Sequence, residues 1–153
     1  MPTIWRIVKQ RHASQPLDGE GARRFGGRWN SRGVPMVYAA DSRALAALEL
    51  LVHVEQSALL TAYVLIGCDV DGALTETLDT RTLPPHWRQS PAPYDLARIG
   101  DGWVRAGSSA VLVVPSALIP DESLYLLNPR HADFDRLRIG APHPFALDGR
   151  FVS

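Results

Sequence analysis

The chain of 153 residues predicts an α+β fold: a compact single domain, 1–153, of antiparallel sheets with a few helices. Two observations favour this class. Short strand-like segments are numerous while only one or two helices are clear, so the regular strand–helix alternation of a parallel doubly wound fold is missing. The length also fits one domain with a substantial core.

The elements of the first half follow from local patterns. Alternating β-branched and aromatic residues predict a first strand, a short apolar run before Asp41 predicts a second, and the run of helix formers after Ser42 predicts the clearest helix. In order, we expect a strand over 3–9, a loop over 11–33, a strand over 35–40 and a helix from 43 to about 56.

The second half has more strands and one helix. Proline and polar residues predict that 79–93 is an excursion over the surface. Cys68 lies in a strand-like run, so we expect a buried, inert thiol. The other predictions are strands over 61–70, 110–114, 123–127 and 134–139, and a helix over 95–105 that ends at Gly107.

Charge and hydropathy limit the functional classes. No apolar run approaches the ~20 residues that span a bilayer, and no signal-peptide pattern is present, so we expect a cytoplasmic protein without membrane contact. Net charge is zero, yet the first 33 residues are basic, because only Asp18 and Glu20 oppose seven cations. These are Arg6, Lys9, Arg11, Arg23, Arg24, Arg28 and Arg32. Arginine favours a phosphate-bearing ligand, and the alternative is a solvated loop.

Glu49 is the only charged residue between Ala44 and Leu51. By helical spacing it shares a stripe with Leu45, Leu48 and Val52, which predicts that it faces packed groups. An unpaired buried charge costs several kcal/mol, so we expect a functional carboxylate at the edge of a cavity.

Two further features precede this helix. The segment 19–30 is rich in glycine and arginine, which allows backbone amides and a guanidinium to point at an anion. It matches neither a P-loop nor a Rossmann turn, so a surface turn is an equal alternative. Tyr38 lies in the short second strand, where its ring could stack on a flat heterocycle or simply fill the core.

Other chemistries fit less well. His53 lies one helical turn beyond Glu49, but no His or Cys cluster supplies a third ligand, so we predict no metal site. Ser116 follows a proline and lacks the Gly-x-Ser-x-Gly elbow of a hydrolase, although it could make one hydrogen bond at the end of a strand.

These residues together resemble a known family. The motifs, in order, are Trp5-Arg6, the block 19–30, Val37-Tyr38-Ala39-Ala40, the helix 46–53, Val114-Pro115-Ser116 and Leu126-Leu127-Asn128-Pro129. Nearly end to end, this set resembles the RES domain family, which is named for arginine, glutamate and serine. The resemblance implies a fold like the diphtheria-toxin-like ADP-ribosyltransferases, and NAD as the substrate.

The resemblance also implies residue roles. Glu49 matches the catalytic glutamate that steadies positive charge as nicotinamide leaves, and Arg28 matches the arginine that holds a phosphate of NAD, with Arg6 as a second cationic contact. Tyr38 matches the aromatic position of the NAD pocket, and Ser116 the serine lining it. Asn128 is a candidate for a structural or ribose contact.

The resemblance further implies the toxin of a bacterial type II toxin–antitoxin pair, bound by a cognate Xre-type antitoxin, and it is compatible with a homodimer within that complex. We expect NAD breakdown by transfer of ADP-ribose to water or phosphate, with transfer to a cellular protein as the alternative.

Two alternative functions of other classes remain. One is a nucleic-acid-binding module that uses the basic first 33 residues, which the zero net charge disfavours. The other is an inert interaction protein in which Glu49 only fixes packing.

Overall fold

The computed structural model describes residues 1–54 and 61–152, which form eight strands and three α-helices. The strands are β1 (Thr3–Lys9), β2 (Val37–Ala40), β3 (Tyr63–Asp69), β4 (Thr75–Thr77), β5 (Val111–Pro115), β6 (Ser123–Leu127), β7 (Arg138–Ile139) and β8 (His143–Phe145). The helices are α1 (Glu20–Phe25), α2 (Arg43–His53) and α3 (Tyr94–Ala106).

All eight strands belong to one sheet with the order β4-β5-β6-β2-β1-β3-β7, and β8 also pairs with β3. Among the described strands, every pair is antiparallel except β4 with β5. That pair is parallel because α3 provides the crossover between the two strands, which parallel neighbours require. The predicted α+β class is confirmed, with a single sheet in place of several.

The sheet opens between two of its central strands. β1 pairs with β3 over seven positions, from Thr3 opposite Asp69 to Lys9 opposite Tyr63. With β2 it pairs only where Trp5 meets Ala40. The backbone of β2 beyond this point therefore has unpaired groups on its β1 side, and a side chain can reach into the gap.

Hydrophobic side chains cover both faces of the sheet. On one face, α2 and α3 pack over an apolar cluster that includes Trp29, Met36, Leu45, Leu96, Trp103, Leu112, Val114 and Leu126. The other face is covered by a cluster that includes Ile4, Leu17, Val37, Val111, Leu127 and Leu137. The first cluster joins residues 29 and 36 to both long helices, so it determines where the arginine-rich segment lies.

Most predicted elements agree with the structure. β1 and β6 have the predicted bounds, α3 ends at Gly107 with a positive φ, and α2 begins after Ser42. α2 ends at His53, and the predicted extension over 55–56 lies outside the described residues. Segment 79–93 is largely exposed, as predicted, with a 3-10 turn at Thr80–Thr82. No helix among the described residues is long and apolar enough to cross a membrane.

Other predictions were incomplete or wrong. The predicted loop over 11–33 contains α1, and two short strands, β4 and β8, were missed. Much of the predicted strand over 134–139 is a 3-10 turn, and only Arg138–Ile139 pairs. The predicted buried stripe on α2 is wrong beyond Leu45, because Leu48 is 39% and Val52 56% exposed. α2 therefore packs mainly through its first half.

Cys68 is buried in β3 and forms no disulfide. Burial raises the pKa of its thiol to about 11, and nearby Asp69 adds to the effect. A thiol that stays protonated is a poor nucleophile, which agrees with the predicted inert role.

Candidate active site

Helix α2 carries Glu49 to the edge of the packed core. The helix is capped by Ser42, whose Oγ accepts a hydrogen bond of 3.0 Å from Leu45 N. Leu45 and Ala46 are buried against the sheet. Glu49 lies one turn after Leu45 on the same side, and its side chain is 23% exposed. The carboxylate is thus at a boundary between core and solvent, and the predicted cavity beside it stays a prediction.

Ser116 holds one oxygen of this carboxylate. It is buried directly after β5, and its Oγ donates to Glu49 Oε1 over 3.1 Å. The same Oγ accepts from the backbone N–H groups of Leu118, at 3.1 Å, and Ile119, at 3.2 Å. A serine oxygen has two lone pairs for accepting, so both are used and its hydrogen is directed at the carboxylate.

The second carboxylate oxygen faces outward. Glu49 Oε2 lies 3.6 Å from Nε2 of His53, an exposed side chain one turn along α2. The described residues contain no group of three His, Cys, Asp or Glu that could hold a metal ion. Glu49 therefore offers an oriented carboxylate with one oxygen accessible from outside.

The segment 19–34, here called the arginine loop, is held by internal hydrogen bonds. Asn30 is buried, and its Nδ2 donates to the carbonyls of Ala22, Ser31 and Val34 at 2.9–3.2 Å. Its Oδ1 accepts from the Tyr38 hydroxyl over 2.6 Å. One amide side chain thereby joins both ends of the loop to strand β2.

Tyr38 completes this network through its hydroxyl. The hydroxyl donates to Asn30 and accepts from Trp29 N over 2.9 Å. Burial raises the pKa of Tyr38, and the charge of Asp101 adds to it, while the Trp29 hydrogen bond and the charge of Arg28 oppose it. A Cβ on Gly27 would lie 2.7 Å from this hydroxyl, so glycine is required for the approach.

Arg28 points from the loop toward the surface excursion. Its Nη1 donates to the carbonyls of Trp87, at 3.0 Å, and Gln89, at 2.9 Å. Among the described residues, Nε and Nη2 have no hydrogen-bond acceptor. The side of the guanidinium that binds oxyanions in pairs is thus available while the group is held in place.

Arg6 reaches into the gap between β1 and β2. Its Nη1 donates to Tyr38 O over 2.8 Å, and its Nε donates to Pro16 O over 2.9 Å. Burial lowers the pKa of Arg6 to about 10, partly opposed by the charge of Asp18, so the guanidinium stays charged at neutral pH. Arg6 thus binds the backbone of the residue whose hydroxyl fixes the arginine loop.

A model of the RES domain matches residues 3–148 of this sequence. The chain belongs to the RES domain family. It is 39% identical over 148 residues to Toxin Res of Yersinia enterocolitica, covering 96% of this chain and 97% of the relative. It is 34% identical over 155 residues to the Prs ADP-ribosylating toxin of a Sphingobium species, covering 98% and 96%.

The fold has a solved counterpart. A chain in the crystal structure of the M. tuberculosis MbcT-MbcA toxin-antitoxin complex matches this RES domain with a TM-score of 0.75 and 21% identity. The match covers 95% of this chain and 84% of the other. The predicted family is therefore confirmed, and so is the fold class.

The RES domain brings most of the predicted site residues together in two groups. Glu49 and Ser116 are in direct contact, and Tyr38 lies between Arg6 and the loop that carries Arg28. Asn128 is elsewhere: it follows the end of β6, whereas Ser116 lies opposite Glu122, six residues earlier and about 20 Å away along the strand. Its Oδ1 accepts from Arg130 N in a turn, and its predicted ligand contact stays a prediction.

Sequence reasoning assigned no role to two residues of α3. Asp101 is buried and accepts from Ser31 N over 3.0 Å, which fastens the arginine loop to the helix. Gly100 lies so close to the loop that a Cβ would be 1.7 Å from Trp29 O. The sequence feature that could have revealed them is Gly100-Asp101-Gly102 inside a predicted helix. Glycine destabilises a helix interior, so its presence there indicates that close packing requires it.

Proposed function

We propose that this RES domain is the toxin of a bacterial toxin–antitoxin pair and cleaves NAD+ at the nicotinamide–ribose bond, passing ADP-ribose to water or phosphate. Family membership supports the proposal, as do relatives named Toxin Res and the toxin-antitoxin complex that contains the structural counterpart. The observation that carries it is the Glu49–Ser116 pair, an oriented carboxylate with one outward oxygen.

The chemistry requires such a carboxylate. When nicotinamide leaves as a neutral molecule, positive charge develops on the ribose carbon that it leaves. A fixed carboxylate close to that carbon stabilises the transition state more than the ground state. Ser116 restricts the Glu49 side chain, so little reorganisation is needed as the charge grows. Water or phosphate then forms the new bond to that carbon and gives up its proton.

The arginines suit the other part of the substrate. Arg28 keeps a free Nε–Nη2 edge, which fits two oxygens of the NAD diphosphate, and two backbone carbonyls already restrict its orientation. Arg6 adds a permanent positive charge behind Tyr38. We assign Tyr38 to holding the arginine loop, with its ring as one wall of the pocket, because its hydroxyl is fully used by Asn30 and Trp29.

Transfer of ADP-ribose to a protein is the alternative. The observation in its favour is the Sphingobium relative, which is called an ADP-ribosylating toxin and matches 98% of this chain. The Glu49–Ser116 geometry serves both reactions, because they share the step in which nicotinamide leaves. They differ only in the group that accepts the ribose.

The partner that we propose is a cognate antitoxin of the Xre type, in keeping with the resemblance of the sequence motifs. The setting is the cytoplasm, where NAD+ is abundant.

The arginines of the first 33 residues are engaged in ways that disfavour a nucleic-acid-binding module. Arg6 is bound to carbonyls, Arg28 is partly engaged and Arg23 pairs with Glu20.

The test is a product analysis. The purified chain is incubated with NAD+ alone, with phosphate, and with an antitoxin-free cell lysate, and adenine-containing products are identified by mass. We expect free nicotinamide together with ADP-ribose or its phosphate ester. A lysate protein that gains the mass of ADP-ribose would favour the alternative, and intact NAD+ in every sample would refute both.

A further inference from the structure

Residues 87–89 lie between the two groups of the candidate site, although they are distant from both in sequence. On one side, the carbonyls of Trp87 and Gln89 accept from Arg28 Nη1. On the other, Arg88 Nε donates to Ala117 O over 2.9 Å. Trp87 also packs against the apolar cluster under α2 and α3. Three consecutive residues therefore contact the arginine loop, the turn after β5 and the core.

The turn that Arg88 contacts is the one that orients Ser116. Ser116 N donates to Glu122 O over 2.9 Å and Glu122 N donates to Ile119 O over 2.9 Å, which closes the turn between β5 and β6. Within it, the N–H groups of Leu118 and Ile119 hold Ser116 Oγ. Ala117 is the residue between Ser116 and these donors, so its orientation affects all three hydrogen bonds of that hydroxyl.

We propose that residues 87–89 are a brace of the active site and that Arg88 is a positioning residue, which acts through Ala117 and Ser116 on the Glu49 carboxylate. The brace ties the residue that we assign to the diphosphate to the turn that orients the carboxylate. This inference rests on the proposed function for its effect on catalysis. Its structural part, the effect of Arg88 on the Ser116 turn, stands independently of any reaction.

The variant that tests the brace is Arg88→Met, which keeps the length of the side chain and removes its donors. Arg98→Met is the matched control, because Arg98 is an exposed arginine on α3 with no hydrogen bond or ion pair to the described residues. Arg88→Lys is the conservative variant, since it retains a charged donor of similar reach. All three replace an exposed side chain, so we expect the fold to be retained.

The first readout is amide hydrogen exchange by NMR, which needs no substrate. In Arg88→Met, we expect the amides of Leu118 and Ile119 to exchange about fivefold faster, as when one supporting hydrogen bond is lost. Arg98→Met should leave them unchanged, and Arg88→Lys should restore most of the protection. Unchanged exchange in Arg88→Met would refute the brace, whether or not the chain consumes NAD+.

The second readout is steady-state kinetics with NAD+. A positioning role predicts that kcat falls about tenfold in Arg88→Met while KM for NAD+ stays within twofold, since the ground-state contacts of the substrate are intact. A raised KM with unchanged kcat would mean that Arg88 contacts the substrate, and would refute the positioning role. A wild-type chain that consumes no NAD+ would refute the proposed function and leave the exchange result to decide the brace.

Discussion

The arginine loop and the Glu49–Ser116 pair use their polar groups in opposite ways. In the loop, Asn30 and the Tyr38 hydroxyl have their bonding capacity satisfied by neighbouring groups. In the pair, Glu49 has one oxygen bound by Ser116 and the other toward solvent. The difference separates scaffold from chemistry: Asn30 and the Tyr38 hydroxyl hold the shape of the loop, whereas the outer Glu49 oxygen, beside the exposed His53, stays accessible to a reacting group.

The largest effect that this comparison predicts is on catalysis. Glu49→Gln removes the negative charge but keeps the size and one acceptor, so we expect kcat for NAD+ cleavage to fall by about 10²–10³-fold. The thermal midpoint should stay within a few degrees, because no buried partner is left uncompensated. Glu76→Gln, at an exposed position in β4, is the control for a change of one charge. Collapse of the fold in Glu49→Gln would support the inert interaction protein instead.

The next effect belongs to the scaffold. Gly100→Ala places a methyl group 1.7 Å from Trp29 O, so α3 and the arginine loop must separate, which we expect to cost about 3 kcal/mol in the free energy of unfolding. Gly102→Ala is a close control, because that glycine is in the same helix and has nothing within 4 Å of its added Cβ. It should stabilise the chain by about 1 kcal/mol. If chemical denaturation gave the same change in the free energy of unfolding for both variants, the close packing of Gly100 against Trp29 would be contradicted.

Tyr38→Phe tests the hydrogen bonds of the scaffold. It leaves Trp29 N and Asn30 Oδ1 without their partner, which should cost about 2 kcal/mol. Tyr125→Phe, whose hydroxyl has no hydrogen bond among the described residues, should cost less than half of that. If the two variants unfold at the same denaturant concentration, the Tyr38 network does not stabilise the loop.

The difference in stability between the wild type and Tyr38→Phe should also depend on pH, with a known sign. The pKa of Tyr38 is raised above its usual value of 10.0 in the folded chain, mainly by burial. Above pH 10 the unfolded chain therefore loses this proton first, and the wild type loses stability. The stability advantage of the wild type over Tyr38→Phe should shrink as pH rises beyond 10. An advantage that grows would contradict the burial of the hydroxyl.

The smallest effect lies at the contact that orients the carboxylate. Ser116→Ala removes the hydrogen bond to Glu49, and we expect kcat to fall about tenfold with KM for NAD+ unchanged. The buried Leu118 and Ile119 amides also lose their acceptor, so a modest loss of stability should accompany it. Ser108→Ala, at an exposed serine, is the control. A change confined to KM would mean that Ser116 contacts the substrate instead.

The sequence predicted those parts of the fold in which the cause is local. β1 and β6 follow from runs of strand-forming residues, and α2 from a cap and helix formers. α1 was missed because a six-residue helix is too short to show periodicity and is flanked by Gly19 and Gly26. β4 and β8 have three residues each and depend on neighbouring strands, so little in their own sequence marks them.

In the candidate site, too, local features could be predicted and long-range contacts could not. Glu49 stood out because one charge in an apolar run is a local anomaly. Its contact with Ser116 spans 67 residues, and that of Asp101 with Ser31 spans 70. The family resemblance implied only that Glu49 and Ser116 belong to the same NAD site, and nothing in the sequence indicated the contact of Asp101. For Tyr38 the sequence left a stacking role and a core role open, and in the structure its hydroxyl bonds two groups of the arginine loop.

The central claim is that Glu49 and Arg28 act on one NAD+ molecule, and a binding measurement tests it most directly. NAD+ is titrated by calorimetry into Glu49→Gln, which should hold the dinucleotide without consuming it, and into the same variant with Arg28→Gln or, as control, Arg32→Gln added. We predict one NAD+ per chain, at least about tenfold weaker binding with Arg28→Gln, and no change with Arg32→Gln. Equal affinity in all three proteins, or no saturable binding, would contradict the account.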